Sequence, residues 1–211
     1  MGAHRKHWSC SSGHDPAVRP LESTKELVDY VKTFETLRNA FPGMLPDSDR
    51  SKPFLDRTIR DWGCIHAWYA DVMLPFHTYV QPPIKGVVRM CYKYANRLTA
   101  FDTELTYIEG YAVSTKVSIP LVHAWCSDVK NRHVIDPTWR GQETTGSPAG
   151  YIGIPFSQKF VAHVMHETKQ YGVLDSLWML KKTINDWTMK DVLDTRWYVV
   201  DKSDDKVDKV T

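Results

Sequence analysis

A thiol, an imidazole and a carboxylate stand close together in the middle of this chain, at Cys91, His123 and Asp136. Together they are the parts of a nucleophilic acyl-transfer centre. A thiol attacks carbonyl carbon well only as thiolate, and an adjacent imidazole can hold its proton as imidazolium. A third group must orient the ring and stabilise its charge. His123 and Asp136 are 13 residues apart, across a turn near DVKNRH. Neighbouring strands lie about 5 Å apart, so a carboxylate on one can meet an imidazole on the next. A helix beginning at Cys91 adds unpaired N–H groups and a partial positive charge. The N–H of Cys91 itself is then a natural oxyanion donor.

The elements that must hold these groups are readable around them. Residues 89–100, RMCYKYANRLTA, read as a helix with Cys91 in its first turn. LTYIEGYAV (105–113), IPLVHAWCSDV (119–129) and HVIDP (133–137) read as short strands with gaps suited to antiparallel pairing. YIGIPF reads as another strand, and RGQETTGSPAG (140–150) as a surface loop. Before this unit, Leu27, Val28, Val31, Phe34 and Leu37 recur at helical spacing over about 22–41, with Ser23 or Thr24 as cap. Residues 54–74 also read as helical, while Pro75 and the QPP at 81–83 interrupt the chain. After it, 157–171 and 174–194 read as helices separated at Gly172. Strands that cluster instead of alternating with helices indicate an α+β fold.

The expected organisation is a flexible arm at 1–20, one catalytic domain at 21–200 and a disordered charged tail at 201–211. Within the domain, a core at 87–160 is flanked by helices at 21–74 and 157–194. A chain of 211 residues with 42% hydrophobic and 25% charged residues can bury a core without disulfides or a structural metal. A net charge of +2, with both signs interspersed, gives no signal for nucleic acid. No apolar run is long enough to span a membrane, which takes about 18 residues. The N-terminus lacks the apolar centre of a secretory signal, and Lys6 stands where a myristoylation signal needs Ser or Thr. These features read as a cytoplasmic protein whose four scattered cysteines stay reduced.

The ordered segments CYKYANRL, LTYIEGYA, IPLVHAW, VIDPTW and YIGIPF resemble those of small transglutaminase-like proteins of phages and bacteria. That superfamily shares a core with papain-like cysteine peptidases: a nucleophile helix packed on a small antiparallel sheet. The resemblance covers roughly 87–160 and rests on the set C…EGYA…HAW…DPTW. It implies that Cys91, His123 and Asp136 act as a triad on a protein or peptide-like amide. The amide would belong to a peptide, an isopeptide or a glutamine side chain. The product would be that of a hydrolase or an acyl transferase, with no cofactor. A phage source would place the protein in the host cytoplasm. Papain-like enzymes also carry a glutamine ahead of the nucleophile, which makes Gln81 a candidate oxyanion donor.

Each of these groups also has a plainer reading. Cys91 can be a buried core cysteine, His123 a hydrogen-bonded core histidine and Asp136 a turn residue before Pro137. Glu109 and Tyr111 are candidates to line the cleft, against a solvated carboxylate and a structural tyrosine. Trp125 and Trp139 either wall the cleft or fill the core. Gly110 in a strand marks a bulge or a close backbone approach. Cys64, in DWGCIHAWYA, is a rival nucleophile, although the nearby His follows it by only two residues. His4, His7, Cys10 and His14 have a spacing that zinc can use but no scaffold, and a His123–Cys126–His133 metal set would consume the triad's imidazole. The favoured reading therefore has no metal. The competing function is a catalytically silent transglutaminase-like binding module that inhibits a protein partner.

Overall fold

The computed structural model describes residues 18–40, 72–82, 84–117, 119–139, 146–174, 176, 187–200 and 207–209. In chain order its elements are β1 (Val18–Pro20), α1 (Thr24–Ala40), β2 (Leu74–Phe76), β3 (Thr78–Val80), α2 (Cys91–Phe101), β4 (Leu105–Ser114), β5 (Leu121–Asp128), β6 (Val134–Ile135), β7 (Pro148–Phe156), α3 (Gln158–Thr168), α4 (Met189–Val192), β8 (Tyr198–Val200) and β9 (Val207–Lys209). The fold is α+β.

Strands β1 to β7 form one sheet in the order β1-β3-β6-β5-β4-β7-β2, and β8 and β9 pair separately. All neighbours in the large sheet are antiparallel except β3 and β6, which run parallel. The sequence of β4 explains its central place. Nine of its ten positions are buried, so it must be covered on both faces. Helix α2 packs on β5 and β4, and α1 packs on β7. Trp125, Phe76 and Trp197 meet elsewhere in the core, with Phe76 5.7 Å from Trp125 and 5.6 Å from Trp197.

Two glycines allow β4 and β7 to come together beneath this aromatic layer. Gly110 pairs with Gly153 across the two strands. A Cβ on Gly110 would collide with the Ile152 carbonyl oxygen, and one on Gly153 would lie 2.6 Å from the tip of the Trp125 ring. Gly110 is thus the close backbone approach that its place in a strand suggests. The register shift in this pair lies further on, between Val113 and Ser114.

Several expectations change. Residues near Pro75 do not simply interrupt the chain but form β2 and β3. Pro75 is tolerated because β2 is an edge strand, where its missing N–H breaks no inner ladder. Strand β7 begins at Pro148, inside the stretch expected to be a loop. Thr24 does not use its hydroxyl as a cap: it donates to the Phe76 carbonyl at 2.7 Å and ties α1 to β2. Val207–Lys209, expected to be part of a disordered tail, pairs with β8 through backbone groups, which its charged composition does not prevent. Helix α3 ends as expected before Gly172, with Lys169 and Gly172 at φ 57° and 105°. Of the helix expected over 174–194, the described residues show the single turn of α4, closed by a capping box between Thr188 and Asp191. Val18–Pro20, the end of the arm expected to be flexible over 1–20, pairs with β3, and Leu74, the end of the helix expected over 54–74, begins β2; residues 1–17 with their zinc-like spacing, residues 54–71 and Cys64 lie outside the described residues. No helix among the described residues is long and apolar enough to cross a membrane.

Candidate active site

Cys91 is the first residue of α2. The N-cap, Met90, makes no side-chain hydrogen bond, and the first turn carries no acidic residue. The first intrahelical bond from this turn is Tyr94 N–H to the Met90 carbonyl at 3.0 Å. The N–H groups before Tyr94 precede that ladder, so the positive end of the helix has no side-chain cap next to the thiol. The lead-in is constrained as well. Met90 N–H bonds to the Val87 carbonyl at 3.2 Å, closing a turn in which Arg89 takes φ 68°. A left-handed arginine costs on the order of 1 kcal/mol or more, and such strain tends to collect where a side chain must be aimed. Just upstream, Gly86 N–H bonds to the Pro137 carbonyl at 2.8 Å, tying the approach to Cys91 to the turn after Asp136. The close packing of Thr138 and Pro137 on Gly86 leaves little room for a Cβ there.

His123 lies on β5, and Asp136 directly follows β6. The pairing of Cys126 with Ile135 puts Asp136 beside Trp125, so alternation turns His123, Trp125 and Asp136 to the same face. His123 Nε2–H donates to Asp136 Oδ2 at 2.7 Å. That leaves Nδ1 at the other end of the ring, and the Cys91 side chain acts on His123 electrostatically, helping to raise the imidazole. Trp139 covers one face of the ring, stacked at 4.5 Å and 20°.

Asp136 is fully buried, and all of its acceptor positions are used. Oδ1 accepts from Thr138 N–H at 2.8 Å, Thr138 Oγ1 at 2.7 Å and Trp139 N–H at 3.3 Å. Oδ2 accepts from His123 and from the Tyr151 hydroxyl, the latter at 2.8 Å. Burial alone would push this carboxyl up, but the His123 charge and the donors from His123, Thr138 and Tyr151 outweigh it and hold the group below the usual carboxylate range. Burial alone would push His123 down. The charge and hydrogen bond of Asp136, with a further contribution from Cys91, overcome it and push the imidazole up to about 10. His123 is therefore held as imidazolium at neutral pH.

The other candidates divide clearly. Both tryptophans are buried: Trp139 stacks directly on the histidine, and Trp125 packs against Phe76 and Tyr151 with its ring centre 6.4 Å from that of His123. Tyr111 is buried, its ring edge-on to Tyr30 at 5.4 Å. Glu109 neither lines the cleft nor meets solvent. It is fully buried, accepts from Tyr107 Oη at 2.5 Å and Leu174 N–H at 2.9 Å, and also from Val173 N–H. Its carboxylate thus holds the turn after α3. Gln81 is exposed and follows β3, whose Val80 pairs with Ile135, so it lies level with Asp136 one strand away. Cys126 is buried against α2, its thiol donating to the Ala95 carbonyl at 3.2 Å. Burial first, then the charges of Asp136 and Asp102, push that thiol well above its usual range. Cys126 and His123 face opposite ways on β5, and His133 lies 3.8 Å from Asp128, so these three do not form a metal site. No group of three potential metal ligands occurs among the described residues.

Large apolar side chains flank the site. Val87 and Met90 are exposed just before Cys91, and Ile119, Leu121 and Val122 just before His123. A groove of about 680 Å³, lined by residues that include Glu26, Leu27, Tyr30, Val113 and Pro120, lies between α1 and the far end of β4. Val113 is three residues along β4 from Gly110, the partner of His123 in the sheet. Thr138, Tyr151 and Gly86 also belong to this site, although the sequence does not single them out as functional. DPTW and YIGIPF mark the first two, but nothing in those motifs says that their hydroxyls share one carboxylate. Comparisons with protein-family models, with curated proteins and with solved structures find no match.

Proposed function

We propose that this protein is a cysteine-nucleophile enzyme that cleaves or transfers an acyl group held in an amide. The observation that supports this reading best is the buried His123–Asp136 pair at 2.7 Å, with the Cys91 thiol at an uncapped helix start acting electrostatically on the same imidazole. The sulfur of Cys91 attacks the carbonyl carbon. The oxygen takes up charge beside the first-turn N–H groups of α2. As the C–N bond breaks, His123 gives its proton to the leaving nitrogen and a thioester remains. An acceptor then attacks the thioester, loses its proton to His123 and releases Cys91. Water as acceptor gives hydrolysis, and an amine gives transamidation. Asp136 keeps its negative charge throughout and orients the ring.

The exposed apolar residues on both lead-ins favour a peptide-like substrate with apolar groups beside the labile amide. The helix-start cysteine, the strand histidine and the aspartate after the next strand are the arrangement expected of a transglutaminase-like or papain-like core, which we propose for this unit. A cytoplasmic setting follows from the same reading. The experiment is to incubate the protein with cell lysate, quench in acid and measure intact mass. A hydroxylamine-sensitive adduct mapping to Cys91, absent from Cys91→Ala, is expected, and its mass identifies the acyl donor. An adduct that maps elsewhere, or persists in Cys91→Ala, contradicts the proposal.

A further inference from the structure

Asp136 Oδ2 receives two donors, and only one of them is the histidine. The Tyr151 hydroxyl approaches at 2.8 Å and His123 Nε2 at 2.7 Å. Tyr151 comes from β7, two strands away from β5, and is fully buried. Its ring is fixed edge-on against Trp125 at 4.9 Å, and its backbone pairs with Ala112 and Phe76. A carboxylate that needed only solubilising in the core already has three donors on Oδ1. The tyrosine is directed instead at the oxygen that faces the imidazole.

We propose that Tyr151 is a positioning residue that weakens the hydrogen bond from His123 Nε2–H to Asp136, so that the imidazolium gives up its Nδ1 proton to the leaving group more readily. Two donors on one oxygen compete for the same electron density, so each bond is weaker than it would be alone. Without the tyrosine, Asp136 would hold an imidazolium too tightly to serve as an acid. The charged and titratable groups that reach His123 are Asp136 and Cys91. Those that reach Asp136 are His123 and Tyr151, with Cys126 on the far face of the sheet. The purpose of this device rests on the acyl-transfer reading, but its physical effect does not.

The test is the titration of His123, followed by NMR of the histidine Cε1 carbon in the full chain, with the resonance assigned by loss in His123→Gln. Tyr151→Phe removes the competing donor and is expected to move the His123 midpoint up by about half to one unit. Site-specific replacement of Tyr151 by 3-fluorotyrosine keeps the ring but makes a stronger donor, and is expected to move the midpoint down. Shifts of opposite sign support the assignment. A midpoint unmoved in both, or moved the same way in both, overturns it. Should Tyr151→Phe fail to fold, the fluorotyrosine chain decides alone. Failure of the acyl-transfer reading would appear separately, as an ordinary rate of Cys91 alkylation with these titration shifts intact.

Discussion

Replacing Asp136 by asparagine keeps the shape of the side chain and removes its charge. Thr138 and Trp139 can still donate to the remaining oxygen. The new NH2 would face the Nε2–H of His123 and the hydroxyl of Tyr151, both of which lose their acceptor. Breaking one side of a buried ion pair costs about 3–5 kcal/mol. The pH dependence fixes the sign. The folded imidazole is raised to about 10, so its contribution is complete below an unfolded value of about 6.5 and is lost as pH rises through the folded one. The lowered carboxyl of Asp136 contributes above the usual carboxylate range and is lost only as pH falls through it. At pH near 6 both contributions are present. Urea unfolding should therefore show Asp136→Asn destabilised by about 3–5 kcal/mol near pH 6, with the gap narrowing by about half near pH 10.5. A gap under about 1 kcal/mol near pH 6, or one equal at both pH values, would refute the account of a charged buried pair.

Two further substitutions test the frame around the site. Gly153→Ala places a methyl 2.6 Å from the Trp125 ring and 2.7 Å from the Glu109 carbonyl oxygen, so a loss of about 1–3 kcal/mol is expected in chemical denaturation; an unchanged midpoint would mean that the strands are not in close approach. Glu109→Gln turns an NH2 toward one of the backbone N–H groups of Val173 and Leu174. Hydrogen exchange at those two amides should then accelerate more than tenfold, since a lost charged bond is worth about 1.5–3 kcal/mol, while α2 keeps its protection.

The sequence carries the order of the site better than its depth. Cys91, His123 and Asp136 stand in the predicted kinds of element because a helical pattern and two apolar strand runs surround them. Asp136 shows where reading along the chain stops. A carboxylate before Pro137 looks like a turn residue, and its second donor comes from Tyr151, on a strand that local pattern leaves unplaced. Glu109 departs from its sequence reading for a related reason. In a strand buried on both faces, alternation no longer separates a surface carboxylate from one that clamps a turn more than sixty residues away. The short strands around Pro75 were hidden because proline reads as a breaker until it is known to lie at a sheet edge. Arg89 carries no sequence mark of its left-handed backbone, which glycine would normally announce.

The central claim is that His123, held charged by Asp136, makes the thiol of Cys91 a nucleophile. The most direct measurement is the rate of iodoacetamide alkylation of each cysteine near pH 6–7, by peptide mapping, in the native protein and in His123→Ala. The account predicts that Cys91 reacts much faster than the other cysteines and faster than a free thiol, that Cys126 stays protected by its burial, and that His123→Ala removes the advantage of Cys91. Equal rates across the cysteines, or a fast Cys91 indifferent to His123, would contradict it.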